Sequence, residues 1–345
     1  DSNTSVGHDS MIANTTGTAN VALGFEALNA NTTATNNTAV GYQALKSVTT
    51  STSNTAVGKS ALTATTTGNS LTAVGQGALA SNTTASDNTA VGRSALNSNT
   101  TGSQNTAVGR SALGASTTGA YNVAVGNDAG QSITTGRFNT IVGQGALDAV
   151  TTGDSNTAIG NGALGASTAD NNTAVGSNAL LSNTTGTSNT AVGHDCLEQN
   201  TTANENTAFG FEALKANTTG NENTALGANA GDGCTTGYRN IYVGRDAANT
   251  HATGYAGVYV GENCESSSTS VDVENVFGAG ITGKGTQTTF VGGTNGAYNN
   301  ANSSSWQTTS DRRIKKNITN NTTGLDKINQ ITVRNFEYRT EDEIT

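Results

Sequence analysis

The chain repeats one pattern of apolar and polar positions along most of its length. The repeat reads Asn-Thr-Ala-Val-Gly-x-x-Ala-Leu-x-x-x-Thr-Thr-Gly-x-x, and residues 37–45 show its first half. Successive repeats are 17 residues apart, except at Ile159 and Val175, which are 16 apart. This interval is shorter than that of helix-pair repeats and predicts one coil of a parallel β-solenoid. The apolar residue before the Gly marks each coil at Val6, Leu23, Val40, Val57, Val74, Val91, Val108, Val125, Val142, Ile159, Val175, Val192, Phe209, Leu226, Val243, Val260 and Phe277.

The pattern also predicts the local structure of each coil. Thr-Ala-Val has β-branched residues in alternation, so it predicts a short strand with Thr and Val on one face and Ala on the other. We expect Val and the Leu of Ala-Leu to fill the coil interior, and the Ala-lined or Thr-lined face to pack against another subunit. The Gly after the strand permits a corner with positive φ.

Two further positions predict how successive coils are held together. Thr-Thr-Gly indicates the return turn, and the 16-residue coil has lost its residue in this turn, within Ser167–Asp170, rather than in the strand. The Asn that opens each coil is expected to form a stacked amide ladder or to cap the corner. Both roles are structural.

Composition alone would suggest a disordered chain, because the 345 residues include 43 Gly and only 5% aromatic residues. A stacked coil needs few apolar residues, since each coil buries them against its neighbours, and the periodicity therefore outweighs the composition. The net charge of −9 argues against nucleic acid or an anionic membrane as a partner. We expect no membrane insertion, because the sequence lacks an apolar run of about 18 residues.

The energetics of one coil predict that the chain associates with itself. Full burial of one Val and one Leu contributes about 3 to 5 kcal/mol, whereas ordering the backbone of a whole coil costs several times that. Backbone ladders and a further apolar interface must supply the difference. We therefore expect a homotrimer, which is an economical closed arrangement around one axis.

Side-chain chemistry gives few candidate sites within the repeats. His194-Asp195-Cys196 contains the residue types of a nucleophilic site, but adjacent residues of a strand point to opposite faces, and all three cysteines are interpreted as structural. The 25 acidic residues are scattered, which argues against the paired carboxylates of a glycosidase. Metal-ligand and phosphate-loop spacings are absent from the sequence, so we predict no metal and no cofactor.

The first position after the strand Gly varies from coil to coil and is therefore expected to be exposed. It carries Phe25, Tyr42 and Phe211. These rings are candidate contacts for a receptor, because an exposed aromatic ring can stack on a sugar or on a protein surface. The alternative is that they are isolated surface aromatics, which are common.

The motif Asn-Thr-Ala-Val-Gly resembles the head repeat of trimeric autotransporter adhesins and the shaft repeats of phage and algal-virus tail fibres. The resemblance covers residues 3 to about 265, although the repeat is a little longer than the adhesin version. It implies left-handed parallel β-rolls that assemble as homotrimers. Residues 3–7 are already in phase with the repeat, so we expect the chain to be part of a longer protein.

Three regions are predicted along the chain. Residues 1–265 form the solenoid shaft, and residues 266–309 form a tapering β cap and neck, in which Val271, Val273 and Val276 keep a strand-like pattern. The composition then changes sharply at residues 310–318, where four of the 16 basic residues lie in nine positions. Residues 310–345 resemble the N-terminal part of the intramolecular chaperone domain of endosialidase-type phage tailspikes, which implies a short α+β segment.

In that family the domain trimerises the fibre and then cleaves itself off at the Ser of a Ser-Asp-x-Arg-x-Lys-like motif. The resemblance implies that Ser310 is the nucleophile, Lys315 its proton acceptor and Asp311 a residue beside the scissile bond. A Ser–Lys pair can act in this way when the Lys is desolvated enough to be neutral. Apart from this single-turnover step, we expect no enzymatic activity.

The repeats and the resemblance together predict an all-β, homotrimeric shaft of a viral tail fibre or tailspike on the virion surface. Its expected partners are its own copies and a host cell-surface glycan or protein. A bacterial trimeric surface adhesin and a capsule-degrading tailspike are the alternatives. A C-terminal membrane anchor would favour the adhesin, and a carboxylate pair in a groove between subunits would favour the enzyme.

Overall fold

A computed structural model describes residues 2–293, 296–299 and 306–308 of the chain. Within these ranges all regular structure consists of three-residue strands, and no helix is present. The strands are β1 (Thr4–Val6), β2 (Val21–Leu23), β3 (Thr38–Val40), β4 (Thr55–Val57), β5 (Thr72–Val74), β6 (Thr89–Val91), β7 (Thr106–Val108), β8 (Val123–Val125), β9 (Thr140–Val142), β10 (Thr157–Ile159), β11 (Thr173–Val175), β12 (Thr190–Val192), β13 (Thr207–Phe209), β14 (Thr224–Leu226), β15 (Ile241–Val243), β16 (Val258–Val260), β17 (Asn275–Phe277), β18 (Thr289–Val291), β19 (Ala297–Asn299) and β20 (Trp306–Thr308).

Each strand from β1 to β17 pairs in parallel with the strand of the next coil. Thr38 faces Thr55 and Val40 faces Val57, so equivalent residues of neighbouring coils lie directly above one another. The ladder continues without a break to β18, whereas β18, β19 and β20 pair antiparallel. The predicted all-β parallel solenoid is therefore confirmed, and its left-handedness stays a prediction.

The interior of the coil differs from the expectation in one respect. Ala39 and Ala56 at the centres of β3 and β4 are fully buried, whereas Val57 is 36% exposed. The predicted alternation is correct, but the expectation that Val fills the interior and Ala faces outwards is wrong. Both residues of each Ala-Leu pair, such as Ala44 and Leu45, are buried as predicted.

The Leu position explains why the strand turns its small residue inwards. In the coil of Val125 the Leu position is occupied by Gly130. A Cβ added to Gly130 would point at the side chain of Ile141, the central residue of the next strand. Leu of one coil and Ala of the next strand therefore share one space, and that space does not hold two large side chains. The same position has positive φ, for example +49° at Leu45, a conformation that is especially unfavourable for β-branched residues.

Buried Asn residues hold the coils together. The side-chain oxygen of Asn37 accepts the backbone N–H of Asn54 at 2.9 Å, and its amide donates to the carbonyl of Ser51 at 3.0 Å. This arrangement combines the two predicted roles, because one amide bridges two coils and also ties the return turn. A second column of Asn side chains lies in the return turn and is hydrogen-bonded from coil to coil. Its Asn99 amide, for example, donates to the side-chain oxygen of Asn82 at 3.0 Å.

The 16-residue coil shows where a residue can be lost. The strands on both sides keep their register, with Thr157 opposite Thr173. Asn156 still donates to the return turn, but its acceptor, Ala169, is 13 residues away instead of the usual 14. The missing residue therefore comes from the Thr-Thr-Gly turn, as predicted.

The predicted cap begins as an extension of the ladder. Val276 lies in β17 and is buried, whereas Val271 and Val273 lie outside strands. The boundaries at residues 265 and 309 stay a prediction, and residues 310–345 lie outside the described residues. No helix in the described part of the chain is long and apolar enough to cross a bilayer.

Complementary changes in side-chain size preserve the interior where the repeat departs from its consensus. Gly130 replaces Leu where Ile141 replaces Ala, and a Cβ on Gly130 would lie 2.7 Å from Ile141 Cδ1. Likewise, Gly231 replaces Leu where Tyr242 replaces Ala, and a Cβ there would lie 2.6 Å from the ring. Each enlarged side chain is thus matched by a reduced one in the facing wall.

We predict that Gly130→Leu and Ile141→Ala are each destabilising but compensate one another. The first overpacks the interior by roughly 1 to 3 kcal/mol, and the second opens a cavity that costs about 2 to 5 kcal/mol. The double variant restores the consensus pair, so its loss in free energy of unfolding should be smaller than the sum of the two by at least about 1 kcal/mol. Denaturant unfolding of all four proteins measures this coupling. Additive losses would show that the two positions do not share one space.

Candidate functional site

The first residue after each strand Gly forms an exposed column along the solenoid, here called the outer column. Phe25, Tyr42 and Phe211 are 40%, 46% and 50% exposed. The predicted exposure of these three rings is therefore confirmed. Their role as receptor contacts stays a prediction.

The rings of the outer column stack on one another because equivalent atoms repeat once per coil. Phe25 lies between His8 and Tyr42, with ring centroids 5.6 and 5.3 Å away and nearly parallel planes. On its other side Tyr42 has the ammonium group of Lys59, 5.8 Å from the ring centroid. Both rings therefore present their edges to solvent more than their faces.

Phe211 differs from the other two rings. One of its faces stacks on His194 at 5.7 Å, but the next residue of the outer column is Ala228. Because Ala228 has no ring to stack on Phe211, the second face of Phe211 is less covered than the faces of Phe25 and Tyr42. Phe211 is therefore the best placed of the three to stack on a sugar ring.

Sequence reasoning missed two further exposed aromatic stacks. Tyr121 stacks on Phe138 at 5.0 Å, and Tyr238 stacks on Tyr255 at 5.1 Å. The signal was present in the sequence, because the two rings of each pair are 17 residues apart. The first pair lies one position before the residue that opens a coil and the second pair lies two positions before it, so they belong to different columns.

Acidic side chains near the outer column are held in ion pairs. Hydrogen bonds from Lys46 and from Gln43 lower the pKa of Glu26, and the Lys46 nitrogen lies 2.7 Å from the carboxylate. Lys215 lies 2.7 Å from Glu212 and 3.3 Å from Asp195. Each of these carboxylates has a cationic partner, which suits a surface network better than general acid catalysis.

The candidate nucleophilic triplet does not assemble. His194 and Asp195 lie in the turn after β12 rather than in a strand, and the imidazole Nδ1 is 3.2 Å from the carboxylate. Cys196 instead points into the interior, where its thiol donates to the carbonyl of Ala208 at 3.3 Å. Burial raises the pKa of Cys196 to about 12 and those of Cys234 and Cys264 to about 11, so all three are thiols at neutral pH. The described residues contain no cluster suited to hold a metal ion.

The outward side chains of the strands form a continuous apolar stripe, here called the Thr/Val face. The column that carries Val in most coils is unusually exposed for apolar side chains. The members named below have exposed fractions between 36% and 56%. Because the strands pair in register, these side chains repeat at strand spacing, about 4.8 Å. The exposed members are Val6, Leu23, Val57, Val74, Val125, Val142, Ile159, Phe209, Leu226, Phe277 and Val291.

A buried polar cluster occupies the interior near the C-terminal end of the solenoid. Tyr242 and Tyr259 stack at 5.7 Å in the position that other coils fill with Ala. His251 Nε2 donates to the Val271 carbonyl at 2.9 Å, so the neutral ring accepts at Nδ1 from the Tyr242 hydroxyl at 2.8 Å. The sequence signal for this cluster is the replacement of Ala by Tyr in two successive strands.

The fully buried Glu274 closes the cluster. Its carboxylate accepts the backbone N–H groups of Gly285 at 2.6 Å and Ser267 at 2.9 Å, and the Tyr259 hydroxyl lies at 3.4 Å. Burial lowers the pKa of His251, although the Val271 carbonyl, Glu274 and Asp272 oppose that shift. The imidazole is therefore held neutral in the folded chain.

We predict that this cluster makes stability depend on pH. The unfolded imidazole takes up a proton near pH 6.5 and the folded one only at lower pH, so its contribution is complete above about pH 6.5 and is lost as the pH falls below it. Thermal unfolding of the wild type should shift to lower temperature between pH 7 and about pH 5. Asn occupies the position of His251 in other coils, for example at Asn200 and Asn217, so His251→Asn should be tolerated and should reduce that shift.

The control for this experiment is His194→Asn, which changes an exposed imidazole in the outer column. It should keep the wild-type dependence on pH. An equal shift in the wild type and in His251→Asn would show that the buried cluster does not control the dependence.

Comparison with known proteins adds one finding to this geometry. Residues 310–345 match the family described as chaperone of endosialidase. The match begins at Ser310, C-terminal to the parallel strands of the β-solenoid, the last of which ends at Val291. Searches of curated proteins and of solved structures gave no match. The chain therefore combines a β-solenoid with a C-terminal segment similar to an intramolecular chaperone.

The predicted self-cleavage residues Ser310, Asp311 and Lys315 lie outside the described residues. Their roles stay a prediction based on the resemblance. The family match begins at the first of them.

Proposed function

We propose that this protein is the shaft of a viral tail fibre or tailspike, which attaches the virion to its host and is trimerised by its C-terminal chaperone segment. The observation that carries the proposal is the chaperone match at residues 310–345, C-terminal to a solenoid of eighteen parallel strands. An extended shaft followed by a trimerising segment fits a fibre better than a bacterial adhesin. The ion-paired acids beside the outer column, Glu26, Asp195 and Glu212, favour attachment over capsule degradation.

The Thr/Val face supports self-association. Covering the exposed part of one Val contributes roughly 1 kcal/mol, and the stripe repeats over eighteen strands. For the eleven exposed members named above the sum is about 11 kcal/mol, which is comparable with the cost of association, about 4 to 15 kcal/mol. An apolar stripe of this length on a single chain is a surface that a partner normally covers. Three copies meeting through this face around one axis would cover all three stripes.

We predict that charges on the Thr/Val face disrupt the trimer. Val74→Glu with Val142→Glu would place three carboxylates together at each of two levels of the interface, where desolvation and repulsion both disfavour association. The matched control is Gln76→Glu with Gln144→Glu, which adds the same charge to the outer column two residues away. The mass of the native particle, measured by light scattering, should be that of a trimer for the wild type and the control and smaller for the Val double variant. A monomeric wild type would refute the fibre proposal.

The chaperone segment is proposed to cleave the chain once. Lys315 accepts the proton of the Ser310 hydroxyl, whose oxygen bonds to the carbonyl carbon of the Thr309–Ser310 peptide bond. The C–N bond then breaks, its nitrogen takes up a proton, and water hydrolyses the resulting ester. Asp311 lies beside this bond in the sequence.

We predict that Ser310→Ala and Lys315→Met each abolish this cleavage, whereas the neighbouring Lys316→Met leaves it intact. The intact mass of the chain after expression with its natural C-terminal sequence measures the outcome. A wild-type chain that retains residues 310–345 would contradict the self-cleavage role and leave the trimer unaffected.

A further inference from the structure

A groove of about 560 Å³ lies on the surface of three successive coils, those of Val142, Ile159 and Val175. Its lining residues come from the two positions before each Ala-Leu pair and the two after it. The strand residues of the Thr/Val face take no part in it. The groove is therefore separate from the proposed interface between subunits, and it is large enough for a small ligand.

The groove exists because side chains are missing from a face that other coils fill. Gly145 and Gly162 occupy the position of Glu26 and Asp195, whose side chains form ion pairs across this face. Their φ angles of +59° and +65° are close to the +58° of Ser60, so the backbone does not require glycine here. A Cβ on Gly145 would meet nothing closer than Asp148 Oδ2 at 3.6 Å. Glycine at Gly145 leaves open a space that a side chain could occupy without a steric clash.

The polar groups of the groove suit a ligand with hydroxyl groups. Asp148 supplies a carboxylate, Gln144 and Asn161 supply amides, and Ser182 supplies a hydroxyl. Among the described residues Asp148 has no ion-pair partner, and partial burial raises its pKa. No Lys or Arg lines the groove, so a phosphate or an acidic sugar would find no counter-charge.

The apolar part of the groove is supplied by Leu181 and Ala166, of which Leu181 is the larger. Leu181 reaches into it because Gly165 has no side chain, and a Cβ there would lie 3.0 Å from Leu181 Cδ1. An apolar patch beside convergent amide, carboxylate and hydroxyl groups matches a pyranose, which has an apolar C–H face and polar edges.

We propose that this groove binds one neutral sugar unit of the host-surface glycan. This proposal rests on the attachment role proposed above. Asp148 accepts hydrogen bonds from ring hydroxyls, Asn161 and Gln144 donate and accept at the ring edge, and Leu181 packs against the C–H face. The ligand class is a neutral monosaccharide rather than a sialic acid or another anionic sugar.

Saturation-transfer NMR with the native full chain tests the proposal. The probes are glucose, galactose, mannose, rhamnose and N-acetylglucosamine, each alone, with N-acetylneuraminic acid as the anionic comparison. At least one neutral sugar should give a signal. Its affinity should fall about tenfold or more in Asp148→Ala, because a charge-assisted hydrogen bond is lost, and also in Gly145→Ser, which fills the groove.

The matched control is Gly77→Ser at the same position of another coil. Gly77 has φ of +69°, a Cβ there would lie 3.4 Å from Asn97, and the residue does not line the groove. This variant should bind the sugar as the wild type does. The native mass of every variant should remain that of the wild type, which shows that the fold and assembly are intact.

Absence of signal from every neutral sugar, a signal that persists unchanged in Gly145→Ser, or a signal from N-acetylneuraminic acid alone would overturn the groove proposal. Each of these results leaves the fibre proposal standing if the native particle is a trimer. Conversely, a monomer that binds a neutral sugar through Asp148 would overturn the proposal of a trimeric fibre and leave the groove proposal standing.

Discussion

The structure depends on the close stacking of identical coils at the corner after each strand. A Cβ on Gly41, whose φ is +135°, would fall 2.6 Å from the carbonyl oxygen of Gly58 in the next coil. Only glycine allows the two backbones to approach in this way. Glycine thus permits the strand spacing that the backbone hydrogen bonds set, and in this register every other position of the repeat lies above its own equivalent. Asn ladders, aromatic stacks and ion pairs all follow from that register.

The narrow interior is the second constraint, and it determines which surface faces outwards. Leu45 lies on the wall opposite the strands, so the facing strand position must be small, and Ala occupies it in most coils. The large strand residues are then left on the outside, where Val74 and Val142 join the Thr/Val face. A chain that buries so little per coil thus carries on its surface the apolar side chains with which it can associate.

The sequence was sufficient to predict the period, the strands, the turn that loses a residue and the Asn ladder, because each depends on spacing along one coil. It did not predict which side of the strand is buried, because Thr-Ala-Val alternates equally well in both orientations and the hydrophobicity of Val favoured the wrong one. Exposure of Phe25 and Tyr42 followed from their variability, but their mutual stacking depends on the shared register. The groove could not be predicted, since Gly145 and Asp148 come from one coil and Leu181 from another, and together they form no motif.

The division between constant and variable columns has a consequence for recognition. Residues such as Asn37 and Gly41 contact the coils above and below, so changing one of them disturbs two interfaces at once. Residues of the outer column contact mainly solvent and their own neighbours, where substitutions usually change stability by less than about 0.5 kcal/mol. Under the proposed attachment role, such a surface would accept a different ligand without a change of fold. A groove formed by replacing side chains with glycine at Gly145 and Gly162 is the least demanding change of this kind, because the backbone at those positions is the same with or without a side chain.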